Sequence, residues 1–161
     1  MRPTVLACLL VLLLLGWRAK SIAQVTVFAP PGGSQTLQWS CGDTVTATEY
    51  LNTNNVGNCT AGDNTVSLTR FRVLKAGRIV SGKCYASAGP NTGGTWTQTI
   101  RLNGGNTLAV CTLVEATNPL VGTFTNLPIA LAPDDEIAIQ HVDSDGAFDG
   151  ASVGVALEVD K

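Results

Sequence analysis

The chain has 161 residues, 14% of them charged, with 17 glycines and a formal charge of −2. That length allows one domain with a core of its own. The sparse and slightly acidic charge excludes a polyanion-binding surface, so no nucleic-acid partner is expected.

Met1-Arg2-Pro3 precedes an apolar run, Val5 to Trp17, which gives way to Arg18-Ala19-Lys20-Ser21-Ile22-Ala23. A short basic start, an apolar segment and small residues at Ser21 and Ala23 describe a secretory signal over 1–23. The run is too short to span a bilayer comfortably, so no membrane attachment is expected after cleavage. Arg2, Arg18 and Lys20 leave with it, and residues 24–161 carry a formal charge of −5. The expected location is secreted, extracellular or on a cell surface.

Cys8 also lies in the leader, which leaves Cys41, Cys59, Cys84 and Cys111. An even count in an exported chain reads as two disulfides, with three pairings open. The expected pairing is Cys41 with Cys59 and Cys84 with Cys111, because each would staple neighbouring segments. Cys-x-x-Cys spacing is absent and there is one histidine, which disfavours a zinc site.

Residues 24–161 read as a single domain, with 24–34 as an extended N-terminal arm. Gln24 to Phe28 has strand character, and Pro30-Pro31-Gly32-Gly33 then breaks regular structure. Gln35 to Trp39 and Thr44 to Tyr50 follow as short strands, and Leu51 to Asn64 is turn-forming. That stretch contains the triplet Asn58-Cys59-Thr60, a glycosylation sequon read as chance. Thr65 to Leu74 and Arg78 to Ala86 are two further strands about Lys75-Ala76-Gly77. Arg70, Arg72, Lys75, Arg78 and Lys83 cluster here in a pattern that fits a solvated strand face.

Gly94 to Val114 is the best-marked stretch, two strands folded back on Asn103-Gly104-Gly105-Asn106. Trp96, Gln98, Ile100 and Leu102 share one face, with Thr97, Thr99 and Arg101 on the other. Leu108, Val110 and Val114 resume the apolar alternation, with Cys111 among residues of the opposite face. Val121 to Leu131 is a bent or interrupted strand with Pro128 at its kink. Asp135 to Val142 places Ile137, Ile139 and His141 inward, and Ser152 to Val159 places Val153, Val155, Leu157 and Val159 on one face. Helical periodicity is absent, so the fold class is all-β, a two-sheet antiparallel sandwich.

Three segments, Thr97-Gln98-Thr99-Ile100-Arg101-Leu102-Asn103-Gly104, Leu131-Ala132-Pro133-Asp134-Asp135-Glu136-Ile137-Ala138-Ile139 and Ser152-Val153-Gly154-Val155-Ala156-Leu157, resemble the jelly-roll module of tumour necrosis factor and complement-type heads. Related modules occur in bacterial surface proteins and phage fibres. Asp134-Asp135 stands where that family has Gly-Asp. The resemblance implies a jelly roll that trimerises and acts by binding or assembly; a coiled-coil or collagen stalk before the head is not seen.

Among candidate chemistries, Asp143, Asp145 and Asp149 with Gly146 and Gly150 offer oxygen ligands at a spacing that calcium could accept. A bidentate Glu is missing, with Gly at 154, and a solvated acidic turn is the alternative. His141 lacks a nucleophile motif around it, so no enzyme activity is expected. Trp39, Trp96, Tyr50 and Tyr85 could stack on a sugar. Trp96 is in register with core residues, which leaves Trp39 as the freer ligand-binding candidate. Abundant Thr, Asn and Gly make weakly repelling faces that suit subunits of an assembly. The expected function is therefore non-enzymatic: a subunit of a surface appendage, filament or trimeric head, with no required cofactor. A carbohydrate- or receptor-binding module, with a glycan or cell-surface ligand, is the alternative.

Overall fold

The computed structural model describes residues 33–42, 48–53, 59–61, 69–87, 94–114, 120–144 and 152–160. Residues 1–32, which hold the expected leader (1–23) and most of the expected arm, together with Asn58, Asp145 and Asp149, lie outside them. Among the described residues every regular element is a strand: β1 (Gln35–Cys41), β2 (Thr48–Tyr50), β3 (Thr60–Ala61), β4 (Arg70–Arg72), β5 (Gly77–Ala86), β6 (Thr95–Leu102), β7 (Gly105–Val114), β8 (Leu120–Thr123), β9 (Ile129–Leu131), β10 (Glu136–Asp143) and β11 (Val153–Asp160).

They form two antiparallel sheets packed as a sandwich. The first runs β1-β11-β5-β8, with β9 also on β5; the second runs β3-β2-β10-β6-β7, with β4 also on β10. The chain crosses between sheets after β1, β4, β5, β7, β9 and β10, so neighbours within a sheet come mostly from distant sequence. Trp39, Ile79, Val155 and Leu157 from the first sheet meet Trp96, Ile100, Ile137 and Ile139 from the second in an interior with no exposed surface. Burial of such side chains, about 1.5–3 kcal/mol each, drives the two layers together.

The hairpin is built as the sequence indicates. Asn103 and Gly104 take φ of 52° and 81°, the left-handed pair a two-residue turn requires. Its outer partner is the turn before β10. Asn103 Nδ2 donates to Asp135 Oδ1 (2.7 Å), the Glu136 amide donates to Asn103 Oδ1 (2.9 Å), and the Ala132 amide donates to Asp135 Oδ2 (2.7 Å). Two of the segments that carry the family resemblance thus meet in space. These donors, the Asn103 amide first, hold the Asp135 carboxyl below its ordinary pKa.

The expected phase of β7 is reversed. Ala109, Cys111 and Leu113 face the core, whereas Leu108 and Val114 are 83% and 49% exposed. A register shift between Thr99 and Arg101 on β6 resets the pairing, which places Cys111 opposite Gln98 and Leu113 opposite Trp96. The segment Val121 to Leu131 is two strands, β8 and β9, both on β5, separated by residues 124–128 with a cis Leu127-Pro128 bond. Of the stretch Thr65 to Leu74 the structure has strand only at β4, residues 62–68 being outside the described set.

Both disulfides pair as expected, Cys41 with Cys59 and Cys84 with Cys111. The second ties β5 of one sheet to β7 of the other. It sits against Gly122, where a Cβ would lie 2.7 Å from Cys111 Sγ and 2.9 Å from Cys84 Sγ. A side chain does not fit there, so glycine is what lets β8 pass over the bridge.

Candidate functional site

Trp39, the expected ligand-binding residue, has no exposed surface. Its indole meets Phe71 edge-on, with ring centroids 4.6 Å apart, and Nε1 donates to the Thr69 carbonyl (3.2 Å). An aromatic ring needs a wet face to stack on a sugar, and Trp39 presents none. Its role is to anchor β1 against β4. Tyr50 is also buried, with the Arg101 guanidinium 5.5 Å from its ring centroid and a hydrogen bond from Arg101 Nη1 to its hydroxyl. Among the described residues the exposed aromatic ring is Tyr85, 40% accessible, which lies across Gly154 on the outer face of the first sheet beside Val121.

Of the acidic loop, Asp143 ends β10 opposite Trp96 and is buried. Asp145 and Asp149 lie outside the described residues, among which no group of three metal-ligating side chains comes together.

His141 occupies the centre of a polar rung that crosses the inner face of the second sheet. Strand register sets Glu49, His141, Gln98 and Cys111 side by side on β2, β10, β6 and β7. Gln98 Nε2 donates to His141 Nδ1 (3.1 Å), and Trp96 stands edge-on to the imidazole at 5.5 Å. Trp96 Nε1, Gln98 Oε1 and His141 Nε2 have no hydrogen-bond partner among the described residues. Each such atom costs about 1–3 kcal/mol of desolvation. Burial pushes the histidine pKa down to about 4, so the ring is neutral at physiological pH. Sequence periodicity places His141 inward but cannot show that Glu49 and Gln98 share its rung, because strand register is a property of the folded pair.

Arg70 and Arg72, read as a solvated face, converge on Glu136: Arg70 Nη1 pairs with Oε2, and Arg72 Nη2 lies 3.5 Å from Oε1. Arg78 Nη2 is 3.5 Å from Asp160 Oδ2. These exposed or half-buried pairs contribute little stability.

Two surfaces remain that could meet a partner. The outer face of β6 and β7 carries Thr95, Thr97, Thr99, Val110, Thr112 and Val114 in paired register, with Gln140 and Val142 of β10 beyond and Leu108 at the margin. It contains no charge between Arg101 and the far end of the strands. The outer edge of β7 is capped: the Thr125 amide donates to the Val110 carbonyl (2.9 Å) and Asn126 Nδ2 donates to the Leu108 carbonyl (2.8 Å). Capping disfavours strand addition there and leaves the face as the available surface. The other feature is a cavity of about 170 Å³ between the sheets, at the end where β1 begins and β11 finishes.

In comparisons with known proteins, the chain matches no family model and no curated protein.

Proposed function

We propose that the chain is a secreted, non-enzymatic β-sandwich module that works by packing against further copies of itself. The observation that carries this is the uncharged outer face of β6 and β7, with Leu108 83% and Val114 49% exposed. Packing a second copy on this uncharged face would remove Leu108, Val110 and Val114 from water, which is worth about 25 cal/mol per Å² of apolar surface. The strand order supports a jelly roll: successive segments alternate between sheets and the first and last strands lie side by side. The likeness of the segments around Asn103-Gly104 and Asp134-Asp135 to tumour-necrosis-factor-like heads favours a closed trimer over an open filament. Two disulfides suit an oxidising, extracellular setting.

Light scattering on the oxidised, secreted protein at micromolar concentration tests the proposal. The expected mass is that of a closed oligomer, and Leu108→Lys with Val114→Lys reduces it to a monomer without changing the far-ultraviolet circular dichroism. A wild-type monomer at 100 micromolar, roughly the upper range for a weak interface, overturns it.

A second reading, a carbohydrate- or receptor-binding module, draws on Tyr85, whose exposed ring beside Val121 offers an apolar platform. A glycan array, with Tyr85→Ala as control, distinguishes the two: binding that is lost in the variant supports recognition over assembly.

A further inference from the structure

The cavity at the β1/β11 end goes beyond assembly. Its floor is core: Leu37 of β1, Phe71 of β4, Leu131 of β9 and Ile137 of β10, all buried, so it penetrates between the layers instead of lying on them. Its inner walls are mostly apolar and its outer end opens to solvent, and a buried void of about 150 Å³ with apolar walls takes up benzene. At about 170 Å³ the volume matches a phenyl ring or a chain of about six to eight carbons.

The mouth is polar and lopsided in charge. Arg72 is shared with Glu136 and Asp160 is matched by Arg78, both at 3.5 Å. Lys75, exposed on the loop between β4 and β5, makes no ion pair among the described residues. Beside it Leu74 is 51% exposed at the same rim. The loop is not free to collapse into the opening. The Val73 amide donates to the Asp135 carbonyl, and the Asp134 amide donates to the Val73 carbonyl, each at 2.8 Å. At the other end of the loop, Gly77 packs so closely on the Asp160 carbonyl that a Cβ would come within 2.6 Å. A mostly apolar slot held open, with the Lys75 ammonium at its rim, is complementary to a short amphipathic anion.

We propose that this cavity binds a small carboxylate with an apolar body, a medium-chain alkanoate or an aryl acid, its chain between Phe71 and Leu131 and its carboxylate on Lys75.

The test is calorimetric titration of the full oxidised protein with sodium octanoate and with 1-octanol, alongside methyl chemical shifts. Octanoate is expected to bind saturably at one site per chain and to shift the methyls of Leu37, Leu131 and Ile137. Lys75→Glu is expected to weaken octanoate about tenfold, as reversing a rim charge does, and to leave octanol within about twofold. Val159→Phe, which fills the cavity from its β11 wall, is expected to abolish both. Absence of saturable binding, methyl shifts elsewhere, or a Lys75→Glu protein that still binds octanoate normally overturns the proposal. So does binding that appears only when residues 24–32 are removed, because the chain itself is then the occupant.

Discussion

Acid should destabilise this protein through His141, and the size of the effect follows from its burial. In the unfolded chain the imidazole takes up a proton near pH 6.5; in the folded core it does so only near pH 4. Between those values the unfolded state binds the extra proton, so stability is unchanged above pH 6.5 and falls as the pH drops towards 4. At about 1.4 kcal/mol per unit, the full loss is about 3 kcal/mol, of which about 2 is reached by pH 5. A fifth to a half of a typical domain's stability is at stake. Urea unfolding followed by tryptophan fluorescence at pH 7.5, 6.5, 5.5 and 4.5 measures it, because Trp39 and Trp96 are both core. His141→Gln keeps a polar side chain without the titration and should flatten the profile over this window. Asp135 does not confuse the result. Its pKa is depressed, so its contribution is present above the ordinary carboxylate value of 3.8 and disappears only at lower pH. A wild-type profile that is flat from pH 6.5 to 4.5, or a variant with the same slope, would refute the reasoning.

Mutating Cys84 and Cys111 together to Ala opens a loop of 27 residues and should lower stability by about 3–4 kcal/mol, read from the urea midpoint under oxidising conditions. Gly82→Ala would force a methyl within 2.5 Å of Leu157 Cδ2 and 2.9 Å of Phe124 Cδ2. It should cost about 1–3 kcal/mol. At Gly154→Ala the nearest atoms are those of the Tyr85 ring, which is exposed enough to swing aside, and the change should cost less by the same denaturation assay. Asn103→Gly keeps the left-handed turn but removes the bonds to Asp135 and Glu136. The expected loss is about 1 kcal/mol, together with a rise in the Asp135 pKa followed by carboxyl nuclear magnetic resonance.

The strands most legible in the sequence are β10 and β11. Each has one face against the core and one towards water, so Ile137, Ile139 and His141, or Val153, Val155 and Leu157, fall on alternate positions. The Asn103-Gly104 turn was equally readable, since few residues tolerate its dihedral angles. On β7 the same logic fails. Leu108, Val110 and Val114 face outward although they are apolar, and Ala109, Cys111 and Leu113 face the core, register with β6 placing Cys111 opposite Gln98 and Leu113 opposite Trp96. Alternation shows that two faces differ; it does not say which is inside when both are apolar. Trp39 is hidden by Phe71 and Thr69, about thirty residues away in sequence, so its burial leaves no local trace. The cavity is less legible still, being bounded by side chains from five strands and defined by the gap between sheets. The Leu108 and Val114 patch is the same phenomenon seen from outside, an apolar alternation whose wrong face is wet.

Gln35 at the head of β1 lies opposite Val159 near the tail of β11, so the chain enters and leaves the sandwich at one corner. Tension applied across these two points would load the β1–β11 ladder one rung at a time, as a zipper opens, and not in parallel as shear would. Such a ladder yields at low force. On the β1 side peeling would stop at Cys41, the seventh residue of β1, where the bond to Cys59 takes the load and keeps the intervening segment from paying out; on the β11 side the nearest bridged residue is Cys111. The β1 side would therefore give softly up to a covalent stop, whereas the β11 side has none within the last four strands. A structure that must bear pull would have to transmit it laterally through its faces and not along the chain.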